Sequence, residues 1–111
     1  MSKAGKRMIV NSPTVIVGID IGKYTHVAVA LMPDGRFTKT FSLHNTREGY
    51  EALLERICFW KEECGTGEAI IGMESTGHYW EVPARWLAGK GLKVVLVNAL
   101  HTKRAKEIED N

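Results

Sequence analysis

Apolar and polar residues fall in short blocks along this chain, and the period of the blocks changes partway through. Residues 15–21 (VIVGIDI) are a nearly continuous apolar, β-branched run, the pattern of a strand buried on both faces, with Asp20 as the single charge inside it. Gly22 and Lys23 break the run, and residues 25–32 (THVAVALM) predict a second strand. Pro33-Asp34-Gly35 predicts a turn, because proline presets its own φ and glycine accepts a positive one. Residues 36–43 (RFTKTFSL) then set Phe37, Phe41 and Leu43 against Thr38, Thr40 and Ser42, the period-two signature of a half-exposed strand. Connections this short make the three strands an antiparallel meander.

From residue 45 the period lengthens. Tyr50, Leu53, Leu54, Ile57 and Trp60 recur at helical spacing. Asn45 stands where an N-cap belongs, Glu48 follows three residues later in the manner of a capping box, and Gly65-Thr66-Gly67 ends the helix. Residues 68–74 (EAIIGME) predict a second buried strand. A helix over 79–89 contains Pro83, tolerable only in a first turn, which moves the start toward Trp80. Residues 93–98 (KVVLVN) predict a third buried strand, and residues 101–108 open a further helix. Three strands followed by alternating helices and strands predict an α/β fold: a mixed five-stranded sheet flanked by helices. The first strand is central, the meander lies to one side and the later parallel strands to the other.

Length and charge narrow the picture only slightly. The 111 residues suit one domain, spanning 15–111 after a flexible basic arm over 1–14 that carries Lys3, Lys6 and Arg7. A formal net charge of +2 is too small to indicate nucleic acid by itself, so any basic patch is local. Lys103, Arg104 and Lys106, clustered near the end, are the candidates for phosphate contacts. Cys58 and Cys64 lie six apart in a helical pattern, which suits free core-side thiols in a reducing cytoplasm better than a disulfide. No apolar run approaches the roughly 18 residues of a membrane span, and no secretory signal precedes the domain, so a cytoplasmic location is expected. His26, His44, His78 and His101 lack zinc-site spacing.

The chemistry rests on two carboxylates. Asp20 falls near the end of the first predicted strand and Glu74 at the end of the fourth. As parallel neighbours these strands bring both residues to one edge, where the strand order reverses and open α/β sheets bind ligands. Two converging carboxylates repel unless a cation lies between them, and hard oxygen ligands suit Mg²⁺ or Mn²⁺. Such ions serve phosphodiester cleavage. The alternative for either residue alone is a helix cap or a solvated strand edge. Lys23, beside Asp20, is a candidate phosphate contact or a solvated loop lysine; His78, after Glu74, faces the site or is a solvent-facing or capping residue; and Tyr79 and Trp80 suit either base stacking or core packing. Trp60 and Trp86 fit helical core faces. Gly18-Ile19-Asp20-Ile21-Gly22-Lys23 is also similar to the opening of sugar kinases and actin-like ATPases. It leaves an ATP-binding half-domain as a second reading, one that calls for a further glycine-rich phosphate loop the sequence does not contain.

Three stretches together, GIDIGKYTHVAVAL, HNTREGYEALLERI and GMESTGHYWEVPARWLAGKGLKVVLVNALHTKRAKEIEDN, resemble the DEDD-type insertion-sequence transposases, relatives of the pilin-gene invertase. The most specific part is Glu74-Ser75-Thr76-Gly77-His78-Tyr79-Trp80, with Val97-Asn98 and Lys103-Arg104 downstream. The resemblance implies a ribonuclease H-like (RuvC-like) nuclease domain, of which this chain is the N-terminal portion. It implies DNA as substrate and a two-metal site of Mg²⁺ or Mn²⁺ in the complete domain. Of the family's acidic residues in the order Asp, Glu, Asp, Asp, Asp20 matches the first and Glu74 the second. The last two are expected beyond the lysine-rich segment, and Asp110 is not assigned to either. It further implies a separate C-terminal domain with a serine important for recombination, homo-oligomers of the full-length protein and, in some members, a structured RNA encoded by the element. With two ligands of four, metal binding is expected to be weak or absent in this fragment, and the chain is expected to fold but not to cleave DNA by itself. On that footing a non-catalytic fragment that binds nucleic acid or serves assembly is a third reading.

Overall fold

The computed structural model describes residues 13–97. Its elements are strands β1 (Val15–Asp20), β2 (Thr25–Leu31) and β3 (Phe41–His44), helix α1 (Arg47–Glu63), strand β4 (Ala69–Glu74), helix α2 (Glu81–Gly89) and strand β5 (Lys93–Val97). They build one five-stranded sheet in the order β3-β2-β1-β4-β5. β1–β2 and β2–β3 are antiparallel, and β1–β4 and β4–β5 are parallel, so β1 sits where the meander meets the crossover strands, as the pattern predicts. The basic arm through residue 12 and the segment predicted as a last helix lie outside the described residues.

Burial alternates along each inner strand. Val15, Val17 and Ile19 of β1, Ala28 and Ala30 of β2, and Ile71 and Met73 of β4 point to one face. There they meet Leu53, Ile57 and Trp60 of α1 and Ala84 and Leu87 of α2 in a single core. Full burial of residues such as Leu53 or Ile57 contributes about 1.5–3 kcal/mol each. Both described helices thus pack on the same side of the sheet. This corrects the expectation that β1, β4 and β5 are buried on both faces. Ile16 is 47% exposed and Val95 and Val97 about as much, because no described element lies on their side and β5 is also an edge strand.

Two local departures have physical causes. The predicted strand over 36–43 shrinks to Phe41–His44, preceded by one isolated bridge between Leu31 and Phe37. Between them the Thr38 hydroxyl accepts the Ala30 N–H at 3.0 Å, taking a ladder position that a backbone carbonyl would otherwise fill. The N-cap of α1 is Thr46 and not Asn45: the Thr46 side chain accepts from the Gly49 N–H at 3.1 Å. At the other end Cys64 caps the helix, and Gly65 follows with φ 66°, a left-handed conformation that glycine adopts without penalty. α2 starts at Glu81, which leaves Pro83 in the first turn where its missing N–H costs nothing. Cys64 lies half-buried against the core while Cys58 is exposed, so only the former is core-side. Both are free.

Candidate metal and phosphate site

The register of the sheet sets the site. On the face away from the helices, Val29, Gly18, Gly72 and Val95 lie side by side in one row across β2, β1, β4 and β5. The row above it, toward the carboxyl ends of the parallel strands, holds Val27, Asp20, Glu74 and Val97. Val27 pairs with Asp20 and Val97 with Glu74, while the β1–β4 ladder runs to Ile19 opposite Met73, one residue short of the two acids. Ile19 and Met73 point into the core, so Asp20 and Glu74 emerge together on the opposite face, from strands about 4.8 Å apart. Both are exposed.

The two glycines supply the space. With no side chain on Gly18 or Gly72, a trough opens directly beneath the carboxylates. A Cβ added at either position would meet nothing nearer than a backbone oxygen at 4.0 Å. The resulting cavity of about 560 Å³ is lined by Gly18, Asp20, Ile21, Val27, Val29, Gly72, Glu74, Thr76 and Val97, with Ile19 and Met73 between them. Its floor is bare backbone, its walls are valines, and its rim carries two acids and the Thr76 hydroxyl. Two carboxylates and a hydroxyl on this rim suit a cation or hydrogen-bond donors, and an anionic group only across a cation.

The turns around the rim are held by hydrogen bonds. Ser75 follows Glu74, and its N–H donates to Val97 O at 3.1 Å, tying the end of β4 to β5. After Asp20, Gly22 turns the chain so tightly that a Cβ there would lie 2.3 Å from Thr25 O. Lys23 is exposed in that turn, its ammonium 5.2 Å from the centre of the Tyr24 ring. His78 is exposed and does not line the cavity. Tyr79 is largely exposed, while Trp80 packs on the core and donates its indole N–H to Gly77 O at 3.1 Å. Trp60 is buried, and Trp86 is half-buried against Tyr50, with ring centres 5.7 Å apart. Lys103, Arg104 and Lys106 lie outside the described residues. Among the described residues, no group of three or more His, Cys, Asp or Glu side chains converges as metal ligands. Among the described residues the chain therefore brings two carboxylates to this rim, hard oxygen ligands of the kind divalent cations accept.

Sequence reasoning missed one group. His26 is fully buried, bonded to Gly22 and Asn45, and stacked on Tyr50. A histidine in the alternating pattern of β2 signals nothing by itself, and its partner Asn45 lies 19 residues away.

Fold and site together define a mixed-sheet α/β domain with an acidic pair over an apolar cavity at the point where strand order reverses. The chain belongs to the DEDD transposase family of IS110 type, which matches residues 17–111. No curated protein matches it. Among solved structures it is similar to the Ppx/GppA family member of Aquifex aeolicus, at 13% identity and a TM-score of 0.47 over 78% of this chain and 36% of that one. YeaZ from Pseudomonas aeruginosa is 16% identical with a TM-score of 0.46, over 87% and 50% of the two chains. The Pelota protein of Thermoplasma acidophilum is 15% identical with a TM-score of 0.43, over 78% and 28%. The chain thus spans half or less of these structures. No described helix is long and apolar enough to cross a membrane.

Proposed function

We propose that this chain carries the opening half of a ribonuclease H-like, RuvC-like catalytic domain of a DNA transposase. In this reading Asp20 and Glu74 are the first two acidic positions of its metal site. One observation carries the reading: in a chain of a transposase family, the β1–β4 register brings these two acids to the same rim of a cavity whose floor has no side chains.

Asp20 and Glu74 would hold Mg²⁺ or Mn²⁺ through their carboxylate oxygens. An ion bound there supplies activation of water and charge stabilisation at a departing oxygen during phosphodiester cleavage. The protein's own part is placement. The sheet register fixes the spacing of the two acids, and the Gly18–Gly72 floor lets a sugar-phosphate backbone descend to them. Lys23 stands beside the Asp20 end as a phosphate contact, and Lys103, Arg104 and Lys106 extend contact along the DNA backbone.

Isothermal titration of the purified chain with Mn²⁺ tests this reading. Weak binding is expected in the wild type and is expected to be lost in Asp20→Asn and in Glu74→Gln, with both variants folded by circular dichroism. Equal Mn²⁺ binding in the double variant would sink it. Because two carboxylates converge among the described residues, the 111-residue chain is expected to leave supercoiled plasmid uncut in Mn²⁺. Efficient nicking would show that two acids suffice.

A further inference from the structure

The turn that leads away from Asp20 is fastened at three backbone points to two residues, His26 and Asn45. The Gly22 N–H donates to His26 Nδ1 at 3.1 Å. The Asn45 side-chain amide donates to Lys23 O at 3.2 Å, and the Asn45 N–H donates to Tyr24 O at 2.8 Å. His26 Nε2 and Asn45 Oδ1 are 2.9 Å apart, and the Tyr50 hydroxyl donates to the same oxygen.

Two backbone groups fix the direction of every bond in this chain of contacts. An amide N–H can only donate, so His26 Nδ1 presents its lone pair to Gly22 and the ring hydrogen sits on Nε2. A carbonyl can only accept, so the Asn45 NH₂ faces Lys23 O and its oxygen faces the histidine. The two assignments agree: Nε2–H donates to Asn45 Oδ1. A second proton on the ring would set N–H against N–H at Gly22. His26 is fully buried and no buried side-chain nitrogen or oxygen among the described residues lacks a partner, so the network is closed.

We propose that His26, held as the neutral Nε2–H tautomer, and Asn45 are positioning residues. They fix the 21–24 turn and so set the Asp20 carboxylate at the cavity rim, with Lys23 in the turn that follows it. The role is distinct from core filling, because His26 and Asn45 also bond backbone groups of the turn that follows the acid. Its consequence for metal binding rests on the function proposed above; its consequence for the turn does not.

Two measurements test it. The first is NMR of the ¹⁵N-labelled chain. Nδ1 is expected to be unprotonated and Nε2 protonated, with a coupling across the hydrogen bond from the Gly22 amide to Nδ1. A protonated Nδ1, or a Gly22 amide that exchanges as freely as an open loop, would overturn the proposal.

The second compares Mn²⁺ affinity in His26→Asn and His26→Gln. The short amide of asparagine places an oxygen near the Nδ1 position and keeps the Gly22 bond. The longer glutamine reaches the Nε2 position and loses it. Affinity close to wild type is expected for His26→Asn, and a loss of about tenfold for His26→Gln. Equal affinity in two folded variants would refute a positioning role and leave His26 as packing. If neither variant folds, Asn45→Ala at the half-buried end of the network carries the comparison, with the same tenfold loss expected and wild-type affinity as the refuting result. If the wild type itself binds no Mn²⁺, the metal reading fails, and the Gly22 coupling alone decides whether His26 holds the turn.

Discussion

At the scale of single residues, Tyr50 shows how burial becomes a measurable pH dependence. Its side chain is 4% exposed, stacked on His26 with Trp86 tilted against it, and its hydroxyl donates to Asn45. Burial raises the pKa of this phenol above its ordinary value, because the phenolate would lose its hydration. The unfolded chain therefore releases the proton first as pH rises. The stabilisation is fully present below the unfolded pKa and is lost as pH climbs through the folded one. Urea unfolding between pH 8 and pH 11 should show a steeper alkaline loss in the wild type than in Tyr50→Phe. Identical slopes would mean that the phenol is as accessible in the fold as in the unfolded chain. Asp34, fully exposed, is held below the usual carboxylate value chiefly by the Arg36 N–H that donates to it, and serves only its turn.

At the scale of elements, the row of Gly18 and Gly72 separates what the sheet needs from what the site needs. Glycine weakens a strand through backbone entropy, and neither position is crowded. Gly18→Val and Gly72→Val should therefore fold, with melting temperatures equal to or above wild type, while filling the trough under the carboxylates and weakening Mn²⁺-dependent DNA binding. A collapse of the fold in either variant would instead assign these glycines a structural role.

Much of this level could be read in advance. Strand type, helix type and the central place of β1 follow from period and connection length. Asp20 stands out because a charge interrupts VIVGIDI, and Glu74 because it ends AIIGME just before a turn. What could not be read depends on distant partners. Continuous apolar runs suggest two buried faces, yet the described helices cover one. Thr38 takes a ladder bond at Ala30, a contact no period encodes. Asn45, placed as a helix cap by its type, is drawn into the His26 network while Thr46 caps the helix.

At the scale of the whole molecule, the sheet is antiparallel on one side of β1 and parallel on the other. β2, β1 and β4 have neighbours on both sides, whereas β3 and β5 each leave one edge unpaired among the described residues. Native-state hydrogen exchange should rank accordingly, with the slowest amides at Val17, Ile19 and Ile71 and the fastest strand amides in β3 and β5. Protection of β5 equal to that of β1 would mean that its free edge is covered. The same asymmetry has a consequence during synthesis. The meander and α1 emerge from the ribosome first, and their contacts are short in sequence. The parallel partner of β1 follows only at residues 69–74, so for that interval the strand destined for the centre is an edge. Its open ladder is then flanked by Ile16 and Val17, and the nascent chain is at its most adhesive before the second half of the sheet arrives.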